Sequence, residues 1–497
     1  MLASLLSYIA GFLRDRTLSH FFGASQFTDA YNASFLIPDF LFNMFIAGAL
    51  SVAFIPVFTS FLKTSEEKAL EIANTIITFS LILLGFLALV FFFISPLIIH
   101  AIFYNLSLEE QNLIITMTRI MLLSPLIFAV SNTLGSVLIT HKHFMAYALS
   151  GFLYNMGIIG GIFVLHESLG IYGASIGAIF GALLHLMIRI LDTKTISFKF
   201  KIQLKLAHEG VRKIFKLMIP KTIGLLSWQA NLWVYTITAY TLTEGSVAAF
   251  NFARNMQSFP VSLFGISLAT AIFPFLAEYA HNKDIKKFSE HFQSFFEKIL
   301  FFSIPASFGI LIMNREIIEI ILRGGAFGEE AVLLTSTALY FFAFTIPFES
   351  CIHLFARGFY AFKNTFTPMI FSVIGVFVNA FIAFKFAQTY GIKILPIAMT
   401  ITFIIQLTLL IIFFSKRLRN FEFSKFFFKL GKIFVSVAFM SLMLFIFKFE
   451  GSLISQFLRI IIGAFSYLFI AFILRCDEIE YAKNMLLRKF KNNASKT

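Results

Sequence analysis

The stretch FTDAYNASFLIPDFLFNMFIAGALSVAFIPVFTSF, residues 27–61, carries only two charged side chains, Asp29 and Asp39, in 35 residues. A helix of that length rises about 52 Å at 1.5 Å per residue, against a hydrocarbon core of about 30 Å. The segment therefore crosses a membrane and must tilt, bend or project beyond it. Pro38 cannot donate a backbone hydrogen bond, which makes it a candidate kink. The polar residues are not scattered: Asp29, Asn32, Asp39 and Asn43 lie three, seven and four residues apart, on one face of a helix. In a membrane such a face turns towards protein or water.

The rest of the chain reads the same way. Of 497 residues 58% are hydrophobic and 13% charged, with a mean hydropathy of +0.85, which excludes a soluble enzyme. Apolar stretches punctuated by short polar gaps give fourteen spans: residues 1–23, 27–61, 70–102, 112–140, 144–166, 169–191, 214–242, 246–280, 292–313, 331–362, 365–387, 393–415, 427–447 and 452–475. At about 20 residues per crossing they leave no room for a folded soluble domain. The eighth and tenth are also overlong, with Pro260 and Pro347 as candidate kinks. Arg14, Asp15 and Arg16 interrupt the first apolar run, so it reads as a retained span and not a signal peptide.

With the N-terminus placed inside, the inner gaps hold 27 basic residues and the outer gaps four: Arg315, Arg323, Lys393 and Lys448. This bias puts both termini in the cytoplasm and makes the formal charge of +14 chiefly a topology signal. The densest basic runs, Lys194–Lys216 and Lys416–Lys432, read as inner-side charge meeting anionic lipid heads. No motif supports nucleic-acid binding. Cys351 and Cys476 suggest neither a disulfide framework nor a metal site, and His141 and His143 have no third ligand nearby.

An internal repeat appears at an offset near 220 residues. Ala30-Tyr31-Asn32 recurs as Ala249-Phe250-Asn251, and Ala53-Phe54-Ile55-Pro56 as Ala271-Ile272-Phe273-Pro274. Pro125, Asn155 and Gly170-Ile171 answer to Pro347, Asn379 and Gly391-Ile392. Six spans per repeat is an even number, so the halves are parallel. The expected organisation is all-α, with two parallel six-helix lobes at 1–191 and 214–415. A basic linker at 192–213 joins them, two further spans occupy 416–475, and a basic tail fills 476–497.

Nine basic residues fall within the spans: Arg14, Arg16, Arg119, Lys221, Arg254, Lys298, Arg357, Lys385 and Arg459. Arg16, Lys298, Lys385 and Arg459 are near enough to span ends to snorkel, and Glu278 and Glu349 read as interfacial acids. Polar stripes run along four spans: Ser4, Ser7, Gly11 and Arg14 in the first, the set above in the second, Lys221, Gly224, Trp228 and Asn231 in the seventh, and Asn251, Arg254, Ser258, Ser262 and Gly265 in the eighth. Packed together they would line a hydrated cavity with cations Arg14, Lys221 and Arg254 and acids Asp29 and Asp39, suited to an anionic substrate. Arg14 has a second reading as a structural partner of Asp15, and Asp39 as the cap of a helix restarted after Pro38.

Several ordered blocks resemble the MurJ (MviN) family of lipid II flippases. They are Gly11-Phe12-Leu13-Arg14-Asp15, Phe22-Gly23-Ala24, Thr28-Asp29-Ala30, Ile37-Pro38-Asp39 and Gly48-Ala49-Leu50-Ser51, with Phe259-Pro260 and Arg357-Gly358-Phe359-Tyr360-Ala361 followed by Asn364-Thr365-Phe366-Thr367-Pro368. The resemblance implies the fourteen-span MOP exporter architecture and alternating access. It implies a cationic cavity that carries lipid II, the undecaprenyl-pyrophosphate-linked peptidoglycan precursor, across the bacterial inner membrane. Arg14 and Asp29 match family positions, whereas Ser7-Tyr8, Phe42-Asn43 and Arg254-Asn255 stand where many members carry a Ser-Arg pair, paired arginines and an Asn-Arg order. The family's short lead before the first span is missing, so the true start is expected upstream.

These readings give a transporter, not an enzyme, with no cofactor. Its expected binding residues are Arg14, Asp29, Asp39, Lys221, Asn251, Arg254 and Asn255, its partners lipid II, membrane lipids and the peptidoglycan synthesis machinery. The alternative within transport is a flippase for another undecaprenyl-linked oligosaccharide. A multidrug exporter would want an acidic cavity, a polyprenyl-phosphate transferase an acidic pair for a divalent ion, and a recruiting scaffold no polar faces.

Overall fold

In a computed structural model, residues 2–45, 49–196, 198–415, 417–418, 421–448 and 453–479 are described; side chains of residues 2–5, 45, 49–52, 219–221, 223, 224 and 453 lie outside that description. Apolar backbone with no water to bond to satisfies itself as helix, and the described residues contain no β-strand. In chain order the helices are α1 (Leu2–Phe22), α2 (Gln26–Ser34), α3 (Leu36–Phe45), α4 (Ala49–Leu62), α5 (Glu66–Ile102), α6 (Leu108–Met121), α7 (Leu123–Thr140), α8 (Met145–Leu169) and α9 (Tyr172–Thr193). After them come α10 (Glu209–Tyr240), α11 (Ser246–Pro260), α12 (Ser267–His281), α13 (Ile285–Leu322), α14 (Glu329–Ala343), α15 (Thr345–Ala361), α16 (Phe366–Tyr390), α17 (Ile394–Ser415), α18 (Phe423–Ile446) and α19 (Leu453–Ile473).

These make fourteen transmembrane segments, the second built from α2 to α4, the fourth from α6 and α7, the eighth from α11 and α12, and the tenth from α14 and α15, which bend by 46°. Nine stretches among the described residues are apolar and long enough to cross a membrane, and the bent pair makes ten. The α16–α17 stretch counts once in that total, although Gly391, at φ +63°, turns the chain between its two helices. Segments one, two and seven fall outside the total. The second is broken into short helices, and the first and seventh lie partly outside the residues whose side chains are described.

The repeat is visible in the backbone. Positive φ recurs at Gly23 and Gly245, Lys142 and Lys363, and Gly170 and Gly391, spaced 222, 221 and 221 residues. The break between α6 and α7 at Leu122 is matched by the break between α14 and α15 at Phe344.

The chain divides into two units: Met1–Asn251 with Ile321–Val332 and Ala383–Gly391, and Phe252–Ile320 with Leu333–Ile382 and Ile392–Thr497. In the first, α8 and α9 approach to backbone contact. A Cβ on Gly157 would lie 2.2 Å from the Gly181 Cα, and one on Gly161 2.4 Å from the Gly177 Cα. This is the small-residue packing that membrane helices use where hydrophobic burial offers no net drive. The basic linker is held by α5, which outruns the bilayer: Asn74 donates to the Lys199 carbonyl (3.2 Å) and accepts from the Lys201 N–H (3.2 Å), and Lys205 pairs with Glu71. In the second unit Phe288, Phe292, Phe355, Phe359 and Phe414 form a ring cluster joining α13, α15 and α17.

Prolines mark two of the breaks, at Pro38 and Pro347, while α5 runs on through Pro96 and α13 through Pro305. A proline removes the N–H that would bond the carbonyl four residues earlier, and inside a bilayer that carbonyl must find another donor. Pro38 frees Ser34, whose carbonyl accepts from the Thr118 hydroxyl (3.3 Å), and the helix breaks there at Phe35. Pro96 frees Phe92, which accepts from the Arg119 Nε (3.0 Å). Pro305 frees Phe301, which accepts from the Tyr467 hydroxyl (2.7 Å), and Pro347 frees Ala343, which accepts from the Ser307 hydroxyl (2.7 Å). Pro260 instead leads into a π-turn, Val261–Ile266.

Tyr467→Phe leaves the Phe301 carbonyl unsatisfied and is expected to cost about 1–3 kcal/mol of stability. In a Pro305→Ala background residue 305 regains an N–H, so the same substitution should cost far less. Thermal unfolding of the four proteins in detergent measures the difference; equal losses in both backgrounds would reject the proline account.

Candidate substrate-binding site

Arg14 lies two-thirds of the way along α1. Its Nε and Nη2 both donate to the Asp15 Oδ1, at 3.1 and 2.8 Å, with side-chain exposures of 25% for Arg14 and 4% for Asp15. The pair forms although adjacent helical residues point about 100° apart, because the long guanidinium arm folds back across the turn. Arg14 also interacts electrostatically with the hydroxyls of Tyr31 on α2 and Tyr154 on α8, and both phenols interact with Asp39 on α3. One arginine, two carboxylates and two phenols from four helices thus share a neighbourhood. Sequence reading found Arg14 and Asp39 and missed the tyrosines, which look like ordinary packing aromatics in a chain holding 70 Phe and 14 Tyr.

Asp29 is built into a helix cap. It is buried, its Oδ2 accepting from the Gly245 N–H (2.8 Å) and its Oδ1 from the Ala248 N–H (2.7 Å), at the start of α11. A carboxylate on those free N–H groups also meets the positive end of the helix dipole. Gly245 fits because its φ is +81° and because a Cβ there would lie 2.3 Å from the Ala24 carbonyl oxygen. Asp29 therefore has both oxygens engaged by backbone, a structural use that the spacing of polar residues did not reveal.

Farther along the second segment Asn43 donates to the Asp39 carbonyl (2.9 Å) and to the Gln229 Oε1 (3.1 Å), tying α3 to α10. Lys221 belongs to α10, but its side chain lies outside the described residues, as do those of Ser4 and Gly224.

On α11, Asn251, Arg254, Asn255 and Ser258 are partly exposed, while Phe252, Ala253, Met256 and Gln257 are buried. The π-turn then shifts the register, so Gly265, expected on the same stripe, packs against α15 instead, where a Cβ would lie 2.7 Å from the Ser350 Cα. Glu349 of α15 is not interfacial: it sits mid-segment, accepts from the Gln257 Nε2 (2.8 Å) and interacts with Arg254. Gln257 also donates to the Thr345 Oγ1 (2.7 Å), at the bend opened by Pro347. Arg254 is thus an arginine with a carboxylate in reach, as Arg14 is.

Other cations are structural. Arg459 does not snorkel: it is 3% exposed, donates to the Leu444 carbonyl at 3.0 and 2.7 Å, and pairs with Glu316. Arg16 donates to the carbonyls of Arg323 and Ile321. Arg189, counted among inner-side charges, is buried and donates to the Ser131 carbonyl, the Asn132 side chain and the Ser150 hydroxyl. Arg357 donates to the Thr270 hydroxyl (2.7 Å). Among the described residues no three His, Cys, Asp or Glu side chains converge as a metal site would need.

The family model for the lipid II flippase MurJ matches residues 18–463. The chain belongs to that family. A probable lipid II flippase MurJ of Borreliella burgdorferi is 29% identical over 411 residues, covering 82% of this chain and 80% of the relative. One from Thermotoga maritima is 26% identical over 488 residues and 96% of each chain. A solved lipid II flippase MurJ in an inward closed conformation superposes with a TM-score of 0.82 at 26% identity, over 96% of this chain and 99% of that one. An inward-facing multidrug transporter of the MATE family, in the MOP superfamily, gives a TM-score of 0.70 at 15% identity over 83% of this chain and 96% of its own, which shows a shared fold. The chain is a MurJ-type lipid II transporter, and not an enzyme.

Within the MurJ frame the Asp29 cap is testable on its own. Asp29→Ala removes both acceptors and is expected to cost about 0.5–2 kcal/mol, whereas Asp29→Asn keeps one acceptor oxygen and should cost less. Thermal midpoints in detergent rank the variants, and an Asn variant no better than Ala would contradict the cap.

Proposed function

We propose that this chain moves lipid II from the inner to the outer leaflet of the bacterial cytoplasmic membrane by alternating access, with Arg14 and Arg254 holding the pyrophosphate. The observation that carries the assignment is the state of Arg14. A guanidinium has five N–H donors, and the hydrogen bonds to Asp15 use only two of them. A quarter of the side chain remains exposed, beside two phenols. Asp15 fixes the fork, and the remaining donors are left for an oxyanion such as a phosphate. Arg254 likewise has a carboxylate acting on it, Glu349, which Gln257 also holds. Asp39 and Asn43 contribute polar contacts for the uncharged part of the head group, with Lys221, Asn251 and Asn255 assisting.

Orientation follows from the 27-to-4 charge bias, with both termini cytoplasmic. The C-terminal ends of α1, α5, α10, α13 and α16 then face outward. On this reading Asp29 and its helix cap belong to the outward side and take part in gating. The spans otherwise meet membrane lipid, and the lobe limits are those of the repeat.

In a host depleted of its resident lipid II flippase, expression of this chain should keep lipid II open to cleavage by an externally added enzyme that cuts it, and should keep the cells alive. Arg254→Ala should abolish both while the protein stays folded in the membrane. A fully active variant would remove Arg254 from the site. Loss of cleavage with the unaltered protein present would turn the substrate to another undecaprenyl-linked saccharide.

A further inference from the structure

A cavity of about 420 Å³ lies in the first unit, where the turn after α5 and the last turns of α10 and α16 meet. Its volume falls within the range of small-molecule sites, about 300–1,000 Å³. Six of the nine lining residues are Tyr104, Asn105, Thr238, Tyr240, Thr241 and Gln388; the other three are apolar and none of the nine is charged. The negative charges nearest in effect, Asp29 and Glu110, act on Tyr240. A phosphate or carboxylate ligand would find no cation in the lining and two acids nearby.

The lining has the chemistry of a site for an uncharged, amphipathic, hydrogen-bonding ring. Tyr104 is 74% exposed and offers an aromatic face. Gln388 donates from its Nε2 to the Thr241 carbonyl (3.0 Å), which fixes the amide and leaves its oxygen to accept. The Thr238 and Thr241 hydroxyls donate to backbone carbonyls at 2.7 and 2.8 Å and keep lone pairs to accept. The Tyr240 hydroxyl is buried and meets no hydrogen-bond partner among the described residues. Such an orphan costs free energy unless a ligand satisfies it.

We propose that this cavity is an outward-side subsite for an uncharged pyranose saccharide. Tyr104 stacks on the C–H face of the ring, and Asn105, Gln388, the two threonines and the Tyr240 hydroxyl bond its hydroxyl or acetamido groups. The side of the membrane rests on the orientation proposed above; the ligand class rests on the lining alone. Two sources share this chemistry, the sugar head of the transported lipid and free cell-wall glycan.

The test uses the full chain in lipid nanodiscs with N,N′-diacetylchitobiose as probe, read by saturation-transfer NMR. Transfer to the ring and acetamido protons is expected. Tyr104→Ala should weaken binding about fivefold, the loss of one aromatic contact, while Tyr104→Phe keeps it. Tyr240→Phe, which removes a hydroxyl with no partner among the described residues, should weaken binding about fivefold without lowering the thermal midpoint. No transfer to the unaltered protein, or equal transfer in the Tyr104→Ala variant, would overturn the site, as would displacement of the probe by inorganic phosphate. The probe is soluble, so this readout stands whether or not the chain flips lipid II. Where the unaltered chain does flip it, slower flipping by Tyr104→Ala identifies the cargo's own sugar as the occupant, and unchanged flipping with lost probe binding identifies free glycan.

Discussion

A carbonyl freed by proline inside a bilayer has no water to turn to, and much of this fold follows from where its replacement donor comes from. At Pro38 the donor is Thr118 of α6, at Pro96 Arg119 of α6, at Pro305 Tyr467 of α19, and at Pro347 Ser307 of α13. At Pro38 and Pro347 the bond makes a break in the segment tolerable, and in all four cases it ties the proline's turn to a neighbouring helix. At Pro38, Pro305 and Pro347 the satisfying group lies elsewhere in the sequence, whereas the Phe92 carbonyl also accepts from Ser95 of its own helix (3.2 Å). The kinks are therefore properties of the packed protein. They occur in or beside the segments that carry Asp39 and Glu349, where a straight helix would have set those acids on a different face.

The spans, their order and their repeat were legible because each rests on a local rule: hydropathy over about 20 residues, period 3.6, and offsets in sequence. The halves of the repeat even share their left-handed positions, Gly23 with Gly245 and Gly170 with Gly391. What periodicity could not carry was register across a defect. The π-turn after Pro260 moved Gly265 off the stripe of Arg254, and the break at Phe35 came three residues before the proline that causes it. Nor could spacing say what an acid is bonded to. Asp29 and Asp39 look alike in sequence, but one caps α11 and the other interacts with tyrosines beside Arg14. Tyr31, Tyr154 and Gln257 gave no signal, since a buried tyrosine or glutamine is read by its partners and those are distant in the chain.

Charge obeys the same constraint as the carbonyl, and this separates the cations that hold the structure from those free to bind. Arg459 is 3% exposed and gives its guanidinium to a carboxylate and a carbonyl of neighbouring helices, so it keeps no open face for a ligand. Arg189 is buried on a carbonyl, an amide and a hydroxyl. In both the desolvation of the charge is offset by bonds already made, and removing either side chain would strand their partners. Arg14 differs in kind. Its carboxylate neighbour orients it without enclosing it, so part of the charge stays hydrated while nothing is bound. In the role we propose for it, an arriving phosphate would exchange that water for fixed donors and a positive charge in a medium where both act strongly. Residue type is the same for Arg14 and Arg459, and position within a span read the second as the one free to reach water. What sets Arg14 apart is the open face its guanidinium keeps, 25% exposed against 3% for Arg189 and Arg459, and that face is set by the helices that fold around it.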